Sequence, residues 1–263
     1  MSAPPPISQA ASLLRVDGLT MAFGGLLAVS DLSFEVFPSE IVAMIGPNGA
    51  GKTTVYNVLT ATYRATQGTM TFDEHALGGL NPHQVTKLGL VRTFQNIRLF
   101  PNMSALDNVK VARYCRTKAG IWGALTRLPW ARREEREIEE HALAALEFVG
   151  IMDRADELAK SLPYGDQKLL EIARAMATGP RMILLDEPAA GLNSSESAEL
   201  VRLIRKIRSD GVTVMLIEHD MKVVMNISER IIVLDHGVLI STGTPEQVRQ
   251  DRRVIDAYLG KAV

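Results

Sequence analysis

An uninterrupted apolar run, Ile41–Ile45, leads directly into a glycine-rich turn that begins at Gly46, and a helical pattern follows from Lys52 to about Ala61. Such a run is typical of a strand buried on both faces, which occurs in parallel sheets covered by helices. Three more runs have the same character: Met182–Asp186, Val212–Ile217 and Ile231–Leu234. Helical patterns precede them at Asp166–Ala177, Glu196–Ser209 and Met221–Ser228. This alternation predicts an α/β core with a parallel sheet, which binds ligands at the carboxyl ends of its strands.

The rest of the chain differs from this core. Leu32, Phe34 and Val36 alternate with polar residues and predict a half-buried strand. Between about Ser104 and Ser161 the pattern is helical, with helices expected at 104–117, 131–149 and 152–160. We therefore predict one domain over 13–263, divided as follows: α/β core 13–103 and 162–243, inserted helical subdomain 104–161, and C-terminal helical tail 244–263. Residues 1–12, which include three consecutive prolines, are expected to be a disordered lead-in.

Composition excludes several classes of protein. The 263 residues include 29 Lys+Arg and 30 Asp+Glu, a formal net charge of -1, with 46% hydrophobic residues. Intrinsic disorder and a strongly basic, nucleic-acid-coating protein are thereby excluded, and no nucleic-acid partner is expected. No apolar run approaches the roughly 18–20 residues that span a bilayer, and no signal peptide is visible. A single cysteine, Cys115, indicates a reducing compartment.

The glycine-rich turn fits the phosphate-loop pattern G-x-x-x-x-G-K-[S/T]. Its residues are Gly46, Pro47, Asn48, Gly49, Ala50, Gly51, Lys52 and Thr53, with Thr54 next. Glycines let backbone N–H groups turn toward phosphate oxygens, and the following helix points its positive end at the same charge. Lys52 is predicted to contact the β and γ phosphates of a nucleotide, and the Thr53 hydroxyl to bind Mg²⁺.

A second motif supports the first. The apolar strand Met182–Asp186 ends in two carboxylates, Asp186 and Glu187. Beside a nucleotide, Asp186 would bind Mg²⁺, and Glu187 would orient and deprotonate the attacking water. The two motifs together predict a nucleotide and Mg²⁺ as ligands, and the resemblance described next implies that the nucleotide is ATP.

With these motifs in place, the chain resembles the ATP-binding-cassette (ABC) ATPases over about residues 13–243. The family's L-S-G-G-Q signature corresponds to Leu162-Pro163-Tyr164-Gly165-Asp166-Gln167. Other matches are Phe23 for the aromatic that stacks on adenine, Gln95 for the Q-loop glutamine, Ala190–Asn193 for the D-loop and His219 for the switch histidine. By this resemblance Gln95 also contacts Mg²⁺, and the catalytic residues are Glu187, His219, Gln95 and Lys52. Pro163 lacks the hydroxyl and the N–H of the usual serine.

The resemblance implies a fold and an assembly. The fold is a P-loop NTPase (RecA-like) core with an N-terminal antiparallel β subdomain and an inserted α-helical subdomain. The signature residues Pro163, Tyr164, Gly165 and Gln167 would contact the nucleotide of a second ATPase subunit, identical or different. Two transmembrane permease subunits and, indirectly, a solute-binding protein complete the assembly. The expected location is peripheral, on the cytoplasmic face of the inner (plasma) membrane.

Within the family, four short sequence segments resemble those of the ATPase subunits of branched-chain amino acid importers. The segments Leu162–Gly165, Glu171–Arg174, Glu187–Asn193 and Ile217–Met221 carry this resemblance. Urea importers and lipopolysaccharide exporters have similar subunits and remain alternatives. So do a soluble cassette protein that acts on the ribosome or on DNA and a nucleotide-gated protein without hydrolysis, although Glu187 argues against the latter.

Two segments suggest contacts with membrane subunits. Residues 97–103 mix bulky apolar side chains with one arginine, and we hypothesise that Phe100 helps to line a groove for a short helix of a membrane subunit. The alternative is ordinary core packing. For Trp122 and Trp130 there are likewise two alternatives, which are packing in the core and contact with a membrane-embedded partner or the lipid interface.

Overall fold

The computed structural model describes residues 11–116 and 129–259. Its strands are β1 (Leu14–Phe23), β2 (Leu26–Val36), β3 (Ile41–Ile45), β4 (Gln67–Phe72), β5 (His75–Ala76), β6 (Leu90–Arg92), β7 (Met182–Asp186), β8 (Thr213–Ile217), β9 (Arg230–Asp235) and β10 (Val238–Gly243). Its α-helices are α1 (Lys52–Leu59), α2 (Pro82–Leu88), α3 (Ala105–Arg113), α4 (Pro129–Val149), α5 (Tyr164–Ala177), α6 (Ser194–Ser209), α7 (Met221–Ile227), α8 (Pro245–Gln250) and α9 (Arg252–Leu259). The predicted lead-in falls almost entirely outside the described residues, as do Trp122 and the side chain of Trp130.

The central sheet has the spatial order β10-β9-β3-β8-β7-β6. All its pairings are parallel except β10 with β9, which is antiparallel. Every residue of β3, β7 and β8 is buried. The predicted parallel core with doubly buried strands is therefore confirmed.

Each central strand supplies two apolar faces, because successive side chains point to opposite sides of a sheet. In β3, Ile41, Ala43 and Ile45 belong to one hydrophobic cluster, and Val42 and Met44 belong to another. The first cluster includes residues of the helices α3–α7, and the second includes residues of α1 and of the N-terminal sheet.

The N-terminal sheet is antiparallel, with the order β2-β1-β4-β5. Leu32, Phe34 and Val36 of β2 are buried, as their alternation predicted. This sheet closes the cluster that surrounds α1, and it thereby fixes the helix that begins at the phosphate loop.

The described part of the segment between the two halves of the core is mainly helical, and α3, α4 and α5 pack against one another. The helix expected over 152–160 is wrong: the chain there forms two short 3₁₀ turns, Met152–Arg154 and Ala159–Ser161. The reason is tertiary pairing, because Ser104 bridges Leu158 and the Ala105 N–H donates to the Glu157 carbonyl. Backbone groups used in this way cannot continue a helix. The division of the domain at 103/104 and 161/162 stays a prediction.

The tail forms α8 and α9. The first begins at Pro245, where the Thr244 hydroxyl accepts a hydrogen bond from the Gln247 N–H and the Gln247 side chain accepts one from the Thr244 N–H. This reciprocal capping satisfies N–H groups that a helix start otherwise leaves unpaired.

Candidate active site

The phosphate loop connects the carboxyl end of β3 to the first residue of α1. Gly51 has φ 96°, and a Cβ there would lie 2.5 Å from the Ala28 carbonyl oxygen. A Cβ at Gly46 would lie 2.1 Å from the Leu234 carbonyl oxygen. Only glycine fits at these two positions, so the glycines of the motif are needed to bring the loop between β2 and β9.

Lys52 begins α1 and is only 6% exposed. Its Nζ donates to the carbonyl oxygens of Gly46 at 2.7 Å and Pro47 at 2.9 Å, so it also ties the loop to the helix. Burial lowers the pKa of Lys52, and the nearby carboxylates of Glu187 and Asp186 act in the opposite direction. A buried cation beside free helix N–H groups is a suitable site for a polyanion.

Glu187 follows β7 with φ 48°, a left-handed conformation that is uncommon for residues other than glycine. One carboxylate oxygen accepts a hydrogen bond from the Gln95 Nε2 at 2.8 Å, and the other lies 2.6 Å from the His219 Nε2. The structure thus brings together three of the predicted catalytic residues, which come from separate parts of the chain.

Asp186 is 3% exposed, and its Oδ2 accepts a hydrogen bond from Arg92 at 2.7 Å. Arg92 also donates to the Asn57 side chain at 2.6 Å, and its guanidinium lies 5.5 Å from the ring centroid of Tyr56. No sequence pattern pointed to Arg92. Its partners are distant in sequence and meet only because β6 pairs with β7.

A cavity of about 340 Å³ opens beside the phosphate loop. Its lining residues are Leu26, Leu27, Ala28, Asn48, Gly49, Ala50, Gly51, Lys52, Thr53, Thr54, Glu187, His219 and His236. The phosphate loop and Glu187, the predicted base, therefore line the same cavity. His236, in the turn between β9 and β10, was missed, since an exposed histidine in a turn carries no signal in the sequence alone.

Phe23 lies at the end of β1 and is 42% exposed. Its ring packs edge-on against Tyr63, with centroids 5.3 Å apart. No sequence pattern pointed to Tyr63. An exposed aromatic pair offers a ring face to a planar base, so the geometry suits the stacking role predicted for Phe23.

The signature residues lie apart from the phosphate-loop cavity of their own chain: none of Pro163, Tyr164, Gly165 and Gln167 lines it. Pro163 precedes the first turn of α5, and the Gln167 side chain donates to the Leu162 carbonyl at 2.9 Å. These residues fit a role toward another subunit's nucleotide better than a role toward their own.

Mg²⁺ prefers oxygen ligands and is usually bound through one or two carboxylates together with substrate phosphates. Within 11–116 and 129–259, no group of three or more His, Cys, Asp or Glu side chains could hold a metal ion. Thr53 nevertheless lines the cavity with its hydroxyl, Gln95 bonds Glu187, which also lines it, and the Asp186 carboxylate is close enough to Lys52 to act on its pKa. These residues fit a magnesium ion that is shared with a nucleotide.

Another buried carboxylate, Glu218, joins two loops of the site. It is 3% exposed and accepts hydrogen bonds from the N–H groups of Ala189 at 2.6 Å and His219 at 3.1 Å. Burial raises the pKa of Glu218, and these N–H groups act in the opposite direction. The sequence alone indicated no role for Glu218, because a charged residue after an apolar strand is usually exposed.

The model of the ABC transporter family matches residues 29–190, which include the phosphate loop, the signature and Glu187. The chain belongs to the ABC transporter family. It is an ATPase subunit of that family, and it binds nucleotide. A second model, described as branched-chain amino acid ATP-binding cassette transporter, matches residues 238–263.

Two curated relatives extend along nearly the whole chain. The high-affinity branched-chain amino acid transport ATP-binding protein LivG of Escherichia coli is 49% identical over 95% of this chain and 98% of its own length. The protein of the same description from Pseudomonas aeruginosa, BraF, is 50% identical with the same coverage.

Solved structures agree with the fold. A nucleotide-free ATP-binding cassette from an ABC transporter has a TM-score of 0.83 and 29% identity, and the match covers 95% of this chain and 100% of that one. The ADP conformation of an ATP-binding cassette has the same TM-score and identity, with 96% and 100% covered. The predicted P-loop NTPase fold is confirmed. In the described parts of the chain, no helix is long and apolar enough to cross a membrane.

Proposed function

We propose that this chain is the ATP-hydrolysing subunit of an importer for branched-chain amino acids. The observation that supports hydrolysis is the position of Glu187, which faces the phosphate-loop cavity and is held between Gln95 and His219. A protein that only binds nucleotide has no need of a carboxylate fixed on both sides at this point. The alternative of binding without hydrolysis is therefore disfavoured.

Each residue then has a defined task. The N–H groups of the loop and Lys52 hold the phosphates, and the exposed ring of Phe23 stacks on adenine. Glu187 accepts the proton of the attacking water, while His219 and Gln95 fix the orientation of its carboxylate. Mg²⁺, bound by Thr53, Gln95 and Asp186, would neutralise charge on the phosphate oxygens.

A complete site requires a second subunit. The signature residues Pro163, Tyr164, Gly165 and Gln167 lie outside the cavity of their own chain, so they are available to a partner's nucleotide. ATP binding would close such a dimer, and hydrolysis would open it again. Two membrane permease subunits would carry the solute, and a solute-binding protein would deliver it. We place the chain peripherally on the cytoplasmic face of the inner membrane.

The proposed solute rests on similarity over nearly the whole chain, including its C-terminal segment. The two relatives, of 49% and 50% identity, are described as branched-chain amino acid transport proteins. The model that matches residues 238–263 is described as branched-chain amino acid ATP-binding cassette transporter. Urea importers and lipopolysaccharide exporters stay as alternatives, because selectivity lies in other subunits.

Uptake by the reconstituted transporter tests this function. The chain is co-purified with its membrane subunits and solute-binding protein, placed in proteoliposomes with ATP, and offered radiolabelled leucine or urea. We expect ATP-dependent uptake of leucine and none of urea. The same complex with Glu187→Gln serves as the control and should not accumulate leucine. Uptake of urea alone, or stimulation of the ATPase by lipopolysaccharide alone, would refute the assignment of the solute.

A further inference from the structure

Tyr164 occupies the position of the signature's first glycine, and its side chain contacts the D-loop of the same chain. Its hydroxyl donates to the Ala190 carbonyl at 3.3 Å. Its ring lies against Gly191, where a Cβ would come within 2.9 Å of the Tyr164 Cε1. Gly191 has φ 80°, so both the backbone conformation and the ring exclude larger residues. A glycine at position 164 would make neither contact.

Lys168, one turn further along α5, contacts both the Tyr164 ring and the Q-loop. Lys168 is 4% exposed, and its Nζ lies 5.8 Å from the centroid of the Tyr164 ring, within the range of a cation–π interaction. The same Nζ donates to the Gln95 carbonyl at 3.1 Å. A buried ammonium group needs such partners, so Lys168 fixes the distance between the ring and the Q-loop.

These contacts close a circuit on Glu187. The Gln95 side chain donates to the Glu187 carboxylate at 2.8 Å, and the Ala190 N–H donates to the Glu187 carbonyl at 3.1 Å. The contacts therefore form a closed path. Glu187 contacts Ala190, Ala190 contacts Tyr164, and Tyr164 contacts Lys168. Lys168 contacts Gln95, which contacts Glu187 again. We therefore infer that a displacement of Tyr164 would change both the backbone and the side-chain environment of Glu187.

We propose that Tyr164 is a positioning residue, which holds the D-loop against the signature helix and, through Lys168, sets the position of Gln95 at Glu187. The signature and the D-loop then move as one unit. In this chain the substitution of tyrosine for glycine thus supplies a connection within the subunit that the usual signature lacks. The kinetic part of this inference rests on the proposed ATPase function, whereas the structural part does not.

Hydrogen exchange of the full-length subunit tests the structural part. The variants are Tyr164→Phe, which keeps the ring but removes the donor, Tyr164→Gly, which removes both contacts, and Glu147→Gln as the control at an exposed residue of α4. Loss of one hydrogen bond should speed amide exchange over 190–193 roughly two- to tenfold in Tyr164→Phe. Tyr164→Gly should give a larger increase, which should extend to residues 93–98. Unchanged exchange over 190–193 in both variants would overturn the inference.

Kinetics of the assembled transporter test the catalytic part. Lys168→Met, at a residue outside the proposed nucleotide contacts, should lower kcat for ATP with little change in KM, because the base is displaced while the phosphate loop is not. Tyr164→Phe should lower kcat as well, but it also alters the proposed contact with the partner's nucleotide, so the value of KM is decisive for Lys168→Met. The double variant should be no slower than the slower single variant, since both substitutions break one circuit. A role in stability alone would lower the melting temperature without lowering kcat, and that result would refute the proposal.

Glu187→Gln in the same preparation separates the two possible failures. If Glu187→Gln hydrolyses ATP as the wild type does, the proposed function fails, and hydrogen exchange still decides the structural claim. If Glu187→Gln is inactive while Tyr164→Phe matches the wild type in exchange and kcat, the inference about Tyr164 alone fails.

Discussion

At the scale of single residues, the ammonium group of Lys52 has two kinds of partner. Its bonds to the Gly46 and Pro47 carbonyls shape the loop, and they use two of its three donors. The remaining donor and the positive charge are left for the phosphate contact that we propose. Lys52 therefore has a structural task in addition to the ligand-binding task that the motif predicts.

We predict that Lys52→Ala weakens ATP binding by roughly 10- to 100-fold or more, because charge-assisted hydrogen bonds to the phosphates are lost. The subunit should stay folded, since the side chain contacts the loop and not the hydrophobic clusters. Isothermal titration calorimetry measures the affinity, and circular dichroism checks the fold. Lys222→Ala, at an exposed lysine of α7, is the control. Unchanged affinity in Lys52→Ala would contradict the assignment.

Glu187→Gln should lower the hydrolysis rate by roughly 10²–10⁴, the usual contribution of a positioned base. The amide keeps the size of the side chain but cannot take a proton, so ATP binding should persist. Single-turnover hydrolysis in the assembled transporter measures the rate, and Glu147→Gln on the exposed face of α4 is the control. A rate near that of the wild type would show that another group is the base.

At the scale of elements, the segment after Gln95 is divided between core and surface. Leu99 packs against the larger hydrophobic cluster, whereas Phe100 is 43% exposed and lies under the guanidinium of Arg174, 5.3 Å from its ring centroid. Asn108 fixes the backbone there, because its side chain bonds both the N–H and the carbonyl of Phe100. A rigid backbone that presents an exposed ring is suited to contact a partner.

Phe100→Ala should therefore weaken assembly with the membrane subunit and change stability little. We expect less co-purified membrane subunit, unchanged nucleotide affinity and a melting temperature within a few degrees of the wild type. Leu99→Ala is the matched comparison, and it should lower the melting temperature more, because Leu99 packs on the core. If Phe100→Ala lost much stability and assembled normally, the partner surface would lie elsewhere.

The elements that sequence analysis found are those whose pattern is decided locally. Apolar runs located β3, β7, β8 and β9, since a strand buried on both faces needs them. The edge strands β6 and β10 have weaker sequence patterns, because their formation depends on pairing with a neighbouring strand more than on their own residues. The same cause explains the site: Lys52, Asp186 and Glu187 belong to local motifs, whereas Arg92 and Tyr63 are recognised only once the sheets are assembled.

At the scale of the whole molecule, Glu218 links the pH to the free energy of unfolding. Its folded-state pKa is raised above its ordinary value of 4.5, mainly by burial. Such a group stabilises folding when protonated. Its contribution is complete below about pH 4.5 and is lost as the pH rises through the folded-state pKa.

Glu218→Gln should therefore flatten this dependence. Urea unfolding at several values between pH 4.5 and neutral pH should show a smaller fall in the free energy of unfolding than in the wild type. Glu147→Gln, at an exposed position, should follow the wild type. Equal slopes in the wild type and Glu218→Gln would mean that Glu218 does not titrate with folding.

The buried pair of Arg92 and Asp186 has a consequence for turnover. The carboxylate predicted to bind Mg²⁺ already has an internal counterion 2.7 Å away. A metal ion bound there would share its ligand with a fixed guanidinium, and two cations on one carboxylate repel each other. If Asp186 binds Mg²⁺ as we propose, the metal would be held less tightly than by an unpaired aspartate. A looser hold would favour departure of the spent nucleotide, so Arg92 would help to clear the site for the next cycle.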